Sequence, residues 1–252
     1  MTNYAISLSQ MLMLGVNSTL CVYIYRYAEQ ELKRKALIAL SFIVPGIAVT
    51  VFTIVIFLIK PWLLHHFQPE DIPFMNRYFT WLPVYTALFI YTTLLEQYLG
   101  TQFKVAISAF MREVLLRIAS ILLIVLYGFG YISFDVLFIG SVLIYFLPLV
   151  IFLWLAFRLE QFGLSLQFKS FPRSEYKEMI HFSWYHFLLS MVFLFMVYMD
   201  SLLLPFYDHK GFVALAVYSI AVYLSSLLQI PYRSVTPASF AVLAKAFADN
   251  DI

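Results

Sequence analysis

Five ionisable side chains lie within long apolar runs of this chain or at their ends: Arg26, Glu96, Arg117, Asp200 and Arg233. Inside a lipid bilayer such groups are costly unless they pair with a counter-charge or face water. An arginine in that position can hold an anion through charge-assisted hydrogen bonds, and a carboxylate can carry a proton or a cation. These residue types indicate binding of charged molecules, and we predict no catalytic residue.

Two arginines are candidate substrate-binding residues, each with a simpler alternative. Arg233 lies between Pro231 and Pro237, which should kink or unwind a helix because proline lacks an N–H and clashes with the preceding turn. There Arg233 either grips an anionic headgroup or extends toward the inner headgroups. Arg26 begins a basic loop, which it can anchor on the cytoplasmic side.

Asp200 lies about two-thirds of the way along its apolar run, near the outer end. A carboxylate at that depth is expensive unless it is protonated or paired. It therefore either binds a coupling proton or cation, or accepts a hydrogen bond from Tyr198, Tyr207 or a helix end. Both roles remain open on the sequence alone.

Glu96 lies one turn before the inner end of its run, where Lys104, Arg112 or Arg117 can pair with it. Glu113 and Arg117 are four residues apart, a spacing that places them on one helix face and favours a local ion pair. Glu96 is thus a coupling-ion or a structural carboxylate. Arg117 is deep enough to bind substrate, or it extends to the membrane surface.

The residues that must position these charges are 63% hydrophobic and 12% charged, against roughly 25% charged in soluble domains. A membrane-spanning helix needs about 20 apolar residues, because each residue advances the helix by about 1.5 Å. Seven stretches meet this requirement: Tyr4–Tyr25, Ala36–Ile59, Phe79–Leu99, Val114–Ile132, Val136–Phe157, Ile180–Phe206 and Phe212–Ala244. The sequence predicts an all-α bundle of about seven membrane spans.

Basic residues alternate between the loops and so predict the orientation, because loops rich in Lys and Arg stay in the cytoplasm. One side holds Arg26, Lys33, Arg34, Lys35, Lys104, Arg112, Arg158, Lys169, Arg173, Lys177 and Lys245. The other side holds Lys60, Arg77 and Lys210. We predict an N-terminus outside and a C-terminus inside the cell.

The inner loop before the sixth stretch is the predicted boundary between two lobes, covering residues 1–160 and 179–252, with a linker over residues 161–178. Ser174 is a candidate cap of a short interfacial helix, with Glu175 and Glu178 in its first turn. Three aromatic residues are expected to dip into the membrane interface: Phe168, Phe171 and Tyr176.

Three parts of the sequence resemble a known family. They are Tyr4 through Glu29 with Gly15 and Tyr25-Arg26-Tyr27; His181-Phe182 with Asp200, Gly211 and Val217-Tyr218-Ser219; and Pro237. The pattern is similar to the polysaccharide-biosynthesis branch of the MOP exporter superfamily, the Wzx-type O-antigen and capsule flippases. Ser201 departs from it, because many members carry a basic residue after the aspartate.

The resemblance implies a two-lobed transporter in the bacterial inner membrane that moves lipid-linked oligosaccharide outward by alternating access. It implies fourteen helices, of which this chain would supply helices two to eight, as a fragment. The resemblance also implies that Arg233 grips the diphosphate of a polyprenyl-linked sugar and that Arg26 borders the inner mouth of the cavity. Membrane lipids are implied contacts, and a polysaccharide polymerase and glycosyltransferases are possible neighbours. We expect no cofactor, no metal site and no nucleic-acid partner.

Two other functions compete with this reading. A cation-coupled multidrug or metabolite antiporter of the same superfamily would prefer carboxylates in its cavity, because its substrates are often cationic. A membrane enzyme would need clustered His, Asp or Glu residues and a substantial catalytic loop, and the sequence has neither. Cys21 is the single cysteine, which excludes an intrachain disulfide.

Overall fold

The computed structural model describes residues 2–64, 69, 71–102, 104–159, 162–207 and 211–227. All regular secondary structure in these residues is helical. Eleven α-helices follow one another: α1 Thr2–Leu12, α2 Val16–Arg26, α3 Glu31–Leu64, α4 Ile72–Tyr78, α5 Trp81–Thr101, α6 Val105–Phe110, α7 Leu116–Gly128, α8 Phe134–Leu143, α9 Phe146–Arg158, α10 Arg173–Tyr207 and α11 Phe212–Leu227. A π turn, Met111–Leu115, joins α6 to α7, and a 3-10 turn, Phe168–Ser170, precedes α10.

Within the described ranges, length and apolar composition qualify three helices to cross a membrane: Glu31–Leu64, Phe134–Arg158 and Arg173–Pro205. The count rises to five when the bent pairs α1–α2 and α4–α5 are each taken as one span. Large apolar side chains cover the outer surface, and Met196 on α10 is 84% exposed. Such a surface fits lipid rather than water, so the described chain is an all-helical, membrane-embedded protein.

The first apolar stretch is not one continuous helix. The chain bends by 49° between α1 and α2. Leu14 and Gly15 adopt positive φ angles of 51° and 73° at this point, and a left-handed residue ends a right-handed helix. The fourth stretch also differs from its prediction, because α7 ends at Gly128 and the residues after it form a turn.

The α9–α10 linker packs on the protein core, and its location at a membrane interface stays a prediction. Phe171 is only 5% exposed and packs edge-on against Tyr27, with ring centroids 5.4 Å apart. The hydroxyl of Tyr176 donates a 2.6 Å hydrogen bond to the carbonyl of Phe168. The predicted short helix is the beginning of α10, which starts at Arg173 and continues without a break to Tyr207. Phe171 belongs to the buried core, and Phe168 and Tyr176 are half-buried and pack against that core.

Helix α5 is the central element of the fold and packs against α1, α2, α3 and α9. Its buried residues include Leu94, Leu95, Tyr98 and Leu99, each at most 1% exposed. Because α5 is enclosed on several sides, a polar residue on it faces either a protein partner or an internal cavity. Glu96 is such a residue.

Contacts between loops join segments that the charge pattern assigns to the same side. At one end, the N–H of Ser165 donates to the carbonyl of Lys35 at 3.3 Å. At the opposite end, the carboxylate of Asp71 accepts a 3.2 Å hydrogen bond from the backbone N–H of Phe212, the first residue of α11. We call these the inner and the outer end of the bundle, in line with the predicted orientation.

Candidate functional site

A cavity of about 670 Å³ lies between α1, α5, the π turn, α7, α9 and α11. We call it the charged cavity. Its polar lining consists of Glu96, Arg112 and Arg117 with Thr92, Thr93, Ser120 and the rings of Tyr145 and Tyr223. Its apolar lining includes Ile6, Phe89, Leu116, Ile121, Ile124, Pro148 and Phe152. The cavity therefore combines charge with extensive apolar surface.

Four charged side chains form a continuous chain of ion pairs at this cavity. Nη1 of Arg112 lies 2.8 Å from Oε1 of Glu96, and Nε of the same arginine lies 3.2 Å from Oε1 of Glu113. The other oxygen of Glu113 accepts from Nη2 of Arg117 at 2.6 Å. The two carboxylates balance the two guanidinium groups, so the empty network is electrically neutral.

The four members of the network differ in burial. The side chain of Glu96 is 20% exposed, whereas those of Arg112 and Arg117 are 57% and 63% exposed. Exposed ion pairs contribute only about 0 to 1 kcal/mol each, so the arginines can exchange partners at low cost. Glu96 is the most enclosed member, and its carboxylate depends most on its partner.

The π turn supplies two members of the network. Arg112 and Glu113 lie within Met111–Leu115, and Arg117 lies in the first turn of α7. A π turn inserts a residue into an otherwise α-helical run and is frequent at functional sites. This irregular turn places Arg112 in the cavity wall and the adjacent Glu113 in contact with both arginines.

The structure brings together Glu96 and Arg117, two of the residues singled out from sequence, and joins them through Arg112 and Glu113. The predicted Glu113–Arg117 pair is present, and Arg112 is the partner of Glu96 among the three candidates. Arg112 was expected only as an ion-pair partner. Its position on the cavity wall depends on how the α6–α7 segment packs, which spacing alone does not reveal.

Two other predicted residues lie apart from the charged cavity, and one falls outside the described residues. Arg26 forms a 2.8 Å ion pair with Glu178 at the start of α10. Asp200 accepts a 2.9 Å hydrogen bond from the hydroxyl of Tyr218 on α11, a partner that the sequence did not indicate. Arg233 belongs to the residues that the structure does not describe, so its role stays a prediction.

A second cluster, which we call the inner ion-pair cluster, fastens α10 to α2 and α3. Besides the Arg26–Glu178 pair, Nζ of Lys33 lies 3.0 Å from Oε1 of Glu175. The hydroxyl of Tyr27 donates to the same carboxylate at 2.9 Å. Burial, together with this hydrogen bond, raises the pKa of Tyr27 above its ordinary value, so the hydroxyl stays protonated and remains a donor.

One turn further along α10, the backbone itself approaches the break between α1 and α2. A Cβ atom added to Gly15 would overlap the carbonyl oxygen of Ser183 and lie 2.9 Å from the amide nitrogen of Phe187. The hydroxyls of Thr19 and Ser183 are 2.5 Å apart across this contact. Only glycine permits this close packing, because it has no side chain and tolerates the φ of 73°.

At the outer end, Asp135 at the start of α8 accepts hydrogen bonds from both Arg77 and the hydroxyl of Tyr78. The pairing links the α4–α5 bend to the α7–α8 turn. Within the described segments, no group of three or more His, Cys, Asp or Glu residues is placed to hold a metal ion.

Comparison of the chain with known protein families, with curated proteins and with solved structures finds no match. Function is therefore inferred from the charged cavity and the membrane-embedded fold.

Proposed function

We propose that this protein is a membrane transporter that flips a lipid-linked oligosaccharide from the cytoplasmic to the outer leaflet of the bacterial inner membrane. In this proposal it has about seven spans of the MOP exporter type, with the N-terminus outside and the C-terminus inside. The substrate is a polyprenyl-diphosphate sugar, destined for O-antigen, capsule or exopolysaccharide. Transport proceeds by alternating access and requires no covalent chemistry.

The observation that carries the proposal is the composition of the charged cavity. Its volume of about 670 Å³ lies within the range of about 300 to 1,000 Å³ typical of ligand sites. Arg112 and Arg117 offer planar guanidinium groups that match the oxygens of a phosphate or diphosphate. The apolar walls suit the adjoining prenyl chain, so one site accommodates both halves of an amphiphilic anion.

The contacts of α10 support alternating access as the mechanism. At the inner end, the inner ion-pair cluster joins α10 to the N-terminal helices. Near the outer end, the hydroxyl of Tyr4 donates a 3.2 Å hydrogen bond to the carbonyl of Leu202. These polar contacts flank the close packing of Ser183 against Gly15, and an exposed ion pair such as Arg26–Glu178 contributes little to stability and can break readily. Making and breaking them in turn would expose the cavity to one side and then to the other.

A cation-coupled antiporter is the second candidate, and the carboxylates of the network favour it. Glu96 lines the charged cavity, and Glu113 pairs with both of the arginines that line it. A cationic drug or metabolite would bind these carboxylates and displace the arginines. An anionic substrate would replace the carboxylate in an ion pair, whereas a cationic substrate would replace the arginine.

The test uses the parent organism with this gene deleted and the later sugar-assembly steps intact. We would measure how much undecaprenyl-linked oligosaccharide lies in each leaflet, after complementation with the wild type, Arg112→Gln, Arg117→Gln or Arg233→Ala. Arg158→Gln is the matched control, because this exposed arginine stacks on Trp154 at 4.0 Å outside the cavity. Immunoblots of the membranes would verify that each variant is present in the same amount as the wild type.

We expect the deletion to trap the lipid-linked sugar in the cytoplasmic leaflet, and the wild type and Arg158→Gln to restore export. Loss of a charge-assisted hydrogen bond costs about 1.5 to 3 kcal/mol, so Arg112→Gln should slow export about ten- to a hundredfold. Normal export in the deletion strain, together with altered sensitivity to cationic drugs, would instead establish the antiporter.

A further inference from the structure

Glu96 and the ligand compete for the same cation. We propose that binding of an anion in the charged cavity is coupled to protonation of Glu96: the anion takes Nη1 of Arg112 from the carboxylate, and the carboxylate takes up one proton in exchange. This inference deepens the proposed function and rests on it, because it concerns the same cavity and an anionic substrate.

The geometry of Arg112 makes this exchange possible. Its guanidinium group divides its donors between two carboxylates, with Nη1 on Glu96 at 2.8 Å and Nε on Glu113 at 3.2 Å. When an anion replaces Glu96 at Nη1, the bond to Glu113 still holds the guanidinium group at the cavity wall. The arginine thus changes one partner without leaving the site.

The two carboxylates respond differently when Arg112 turns to a ligand. Glu113 keeps Arg117 as a second counter-charge at 2.6 Å. In the described part of the chain, Glu96 has its ion pair with Arg112 alone, and its side chain is 20% exposed. An enclosed carboxylate without a counter-charge is unfavourable, and uptake of a proton removes that charge. The proton therefore goes to Glu96 rather than to Glu113.

Apart from the ion-pair network itself, the described residues that line the cavity around Glu96 bring only tyrosines as titratable groups. The π turn presents Arg112 and Glu113, and α7 presents Arg117. The rings of Tyr145 and Tyr223 enter from the α8–α9 connection and from α11. The lining from α1 and α9 is apolar, and that from α5 itself adds threonine hydroxyls and an apolar ring. Tyrosine and arginine ordinarily titrate far above neutral pH.

The step balances in charge and in protons. Before binding, the Glu96 carboxylate pairs with the Arg112 guanidinium; afterwards, the neutral carboxylic acid stands beside a guanidinium–anion pair. One proton enters the cavity with each anion and leaves when the anion leaves and the original pair reforms. Affinity for the anion must then fall as pH rises, by up to about tenfold per pH unit while one proton is linked to binding.

The experiment measures proton uptake by the purified full chain in detergent, with farnesyl diphosphate as the probe. Titration calorimetry in buffers of different ionisation enthalpy gives the number of protons taken up per bound ligand. We expect the wild type to take up about one more proton than Glu96→Gln, since the ligand's own titration is common to both. Glu29→Gln, which removes an exposed carboxylate in the α2–α3 loop, should behave like the wild type.

A second measurement uses the wild type alone, in case Glu96→Gln folds poorly. Binding of a short-chain alkyl sulfonate, which stays ionised throughout the range, should weaken from pH 5 to pH 8 through protein titration alone. Equal proton uptake by wild type and Glu96→Gln, or sulfonate affinity independent of pH, overturns the coupling and leaves the flippase proposal intact. Failure of the wild type to bind either amphiphilic anion overturns both.

Discussion

Replacing Gly15 with alanine tests the close backbone contact between the α1–α2 break and α10. Gly15 adopts a φ of 73°, which costs a non-glycine residue about 1 kcal/mol or more. The new Cβ would also overlap the backbone of α10 at Ser183, and no change of rotamer can relieve a clash with backbone. Helix α10 must therefore move away from the α1–α2 break.

The cost of that movement follows from the contacts it breaks. Loss of the 2.5 Å hydrogen bond between Thr19 and Ser183 adds about 1 kcal/mol. Forced repacking of a close interface adds about 1 to 3 kcal/mol. We therefore expect Gly15→Ala to lower the free energy of unfolding by about 3 to 5 kcal/mol, which for a chain of this size lowers Tm by about 6 to 20 °C.

Thermal unfolding of the detergent-solubilised protein, followed by tryptophan fluorescence, measures this effect, since Trp184 adjoins the contact. Gly100→Ala is the matched control, because a Cβ there meets nothing within 4 Å and alanine favours the helix. We expect the control to keep or raise the wild-type Tm. A Gly15→Ala protein that melts within about 2 °C of the wild type, less than the shift expected for 1 kcal/mol, would refute the close approach.

Substitutions at three further contacts are tested by the same melting assay. Glu175→Gln should destabilise by about 1 to 3 kcal/mol, because it weakens two bonds at a carboxylate that is 19% exposed, one of them to Lys33; a Tm equal to that of the wild type would contradict the inner ion-pair cluster. Asp135→Asn should lower the free energy of unfolding by about 1 to 2 kcal/mol, because it weakens the hydrogen bonds from Arg77 and from the hydroxyl of Tyr78. Added salt should reduce the difference in Tm between this variant and the wild type. Tyr218→Phe should lower the free energy of unfolding by about 1 kcal/mol, because it removes the hydrogen bond to Asp200. If the two side chains act together, adding Asp200→Asn to this variant should cause little further loss of stability.

The positions of the helices were predictable because long apolar runs leave few alternatives in a bilayer. Each of the seven predicted stretches is helical over most of its described residues, although three to five qualify as spans by length and composition. The break at Gly15 was not predictable in the same way. Leu14 adopts a positive φ of 51° although its residue type disfavours it, so the fold as a whole and not local preference sets the bend.

Partners close in sequence were predicted better than distant ones. The Glu113–Arg117 pair follows from helical spacing, and Arg112 was among three candidates for Glu96. The partners of Arg26 and Asp200 lie on other helices, Glu178 on α10 and Tyr218 on α11. Helices that are apolar on every face carry no amphipathic stripe, so sequence does not reveal which side turns toward a neighbour.

The contact of Phe171 with Tyr27 fixes the inner end of α10 to the N-terminal helices. The ring is held between Tyr27 and Tyr176, with centroid distances of 5.4 and 5.5 Å, two residues before α10 begins. A helix of 35 residues is about 52 Å long, so a tilt of about 5° about that point sweeps its far end through about 4.5 Å. Ion pairs also hold the inner end, while the region around Leu202 and Phe212 is held by hydrogen bonds and by packing of the Phe212 ring on Phe74. A tilt of α10 about Phe171 therefore displaces its outer end far more than its inner end.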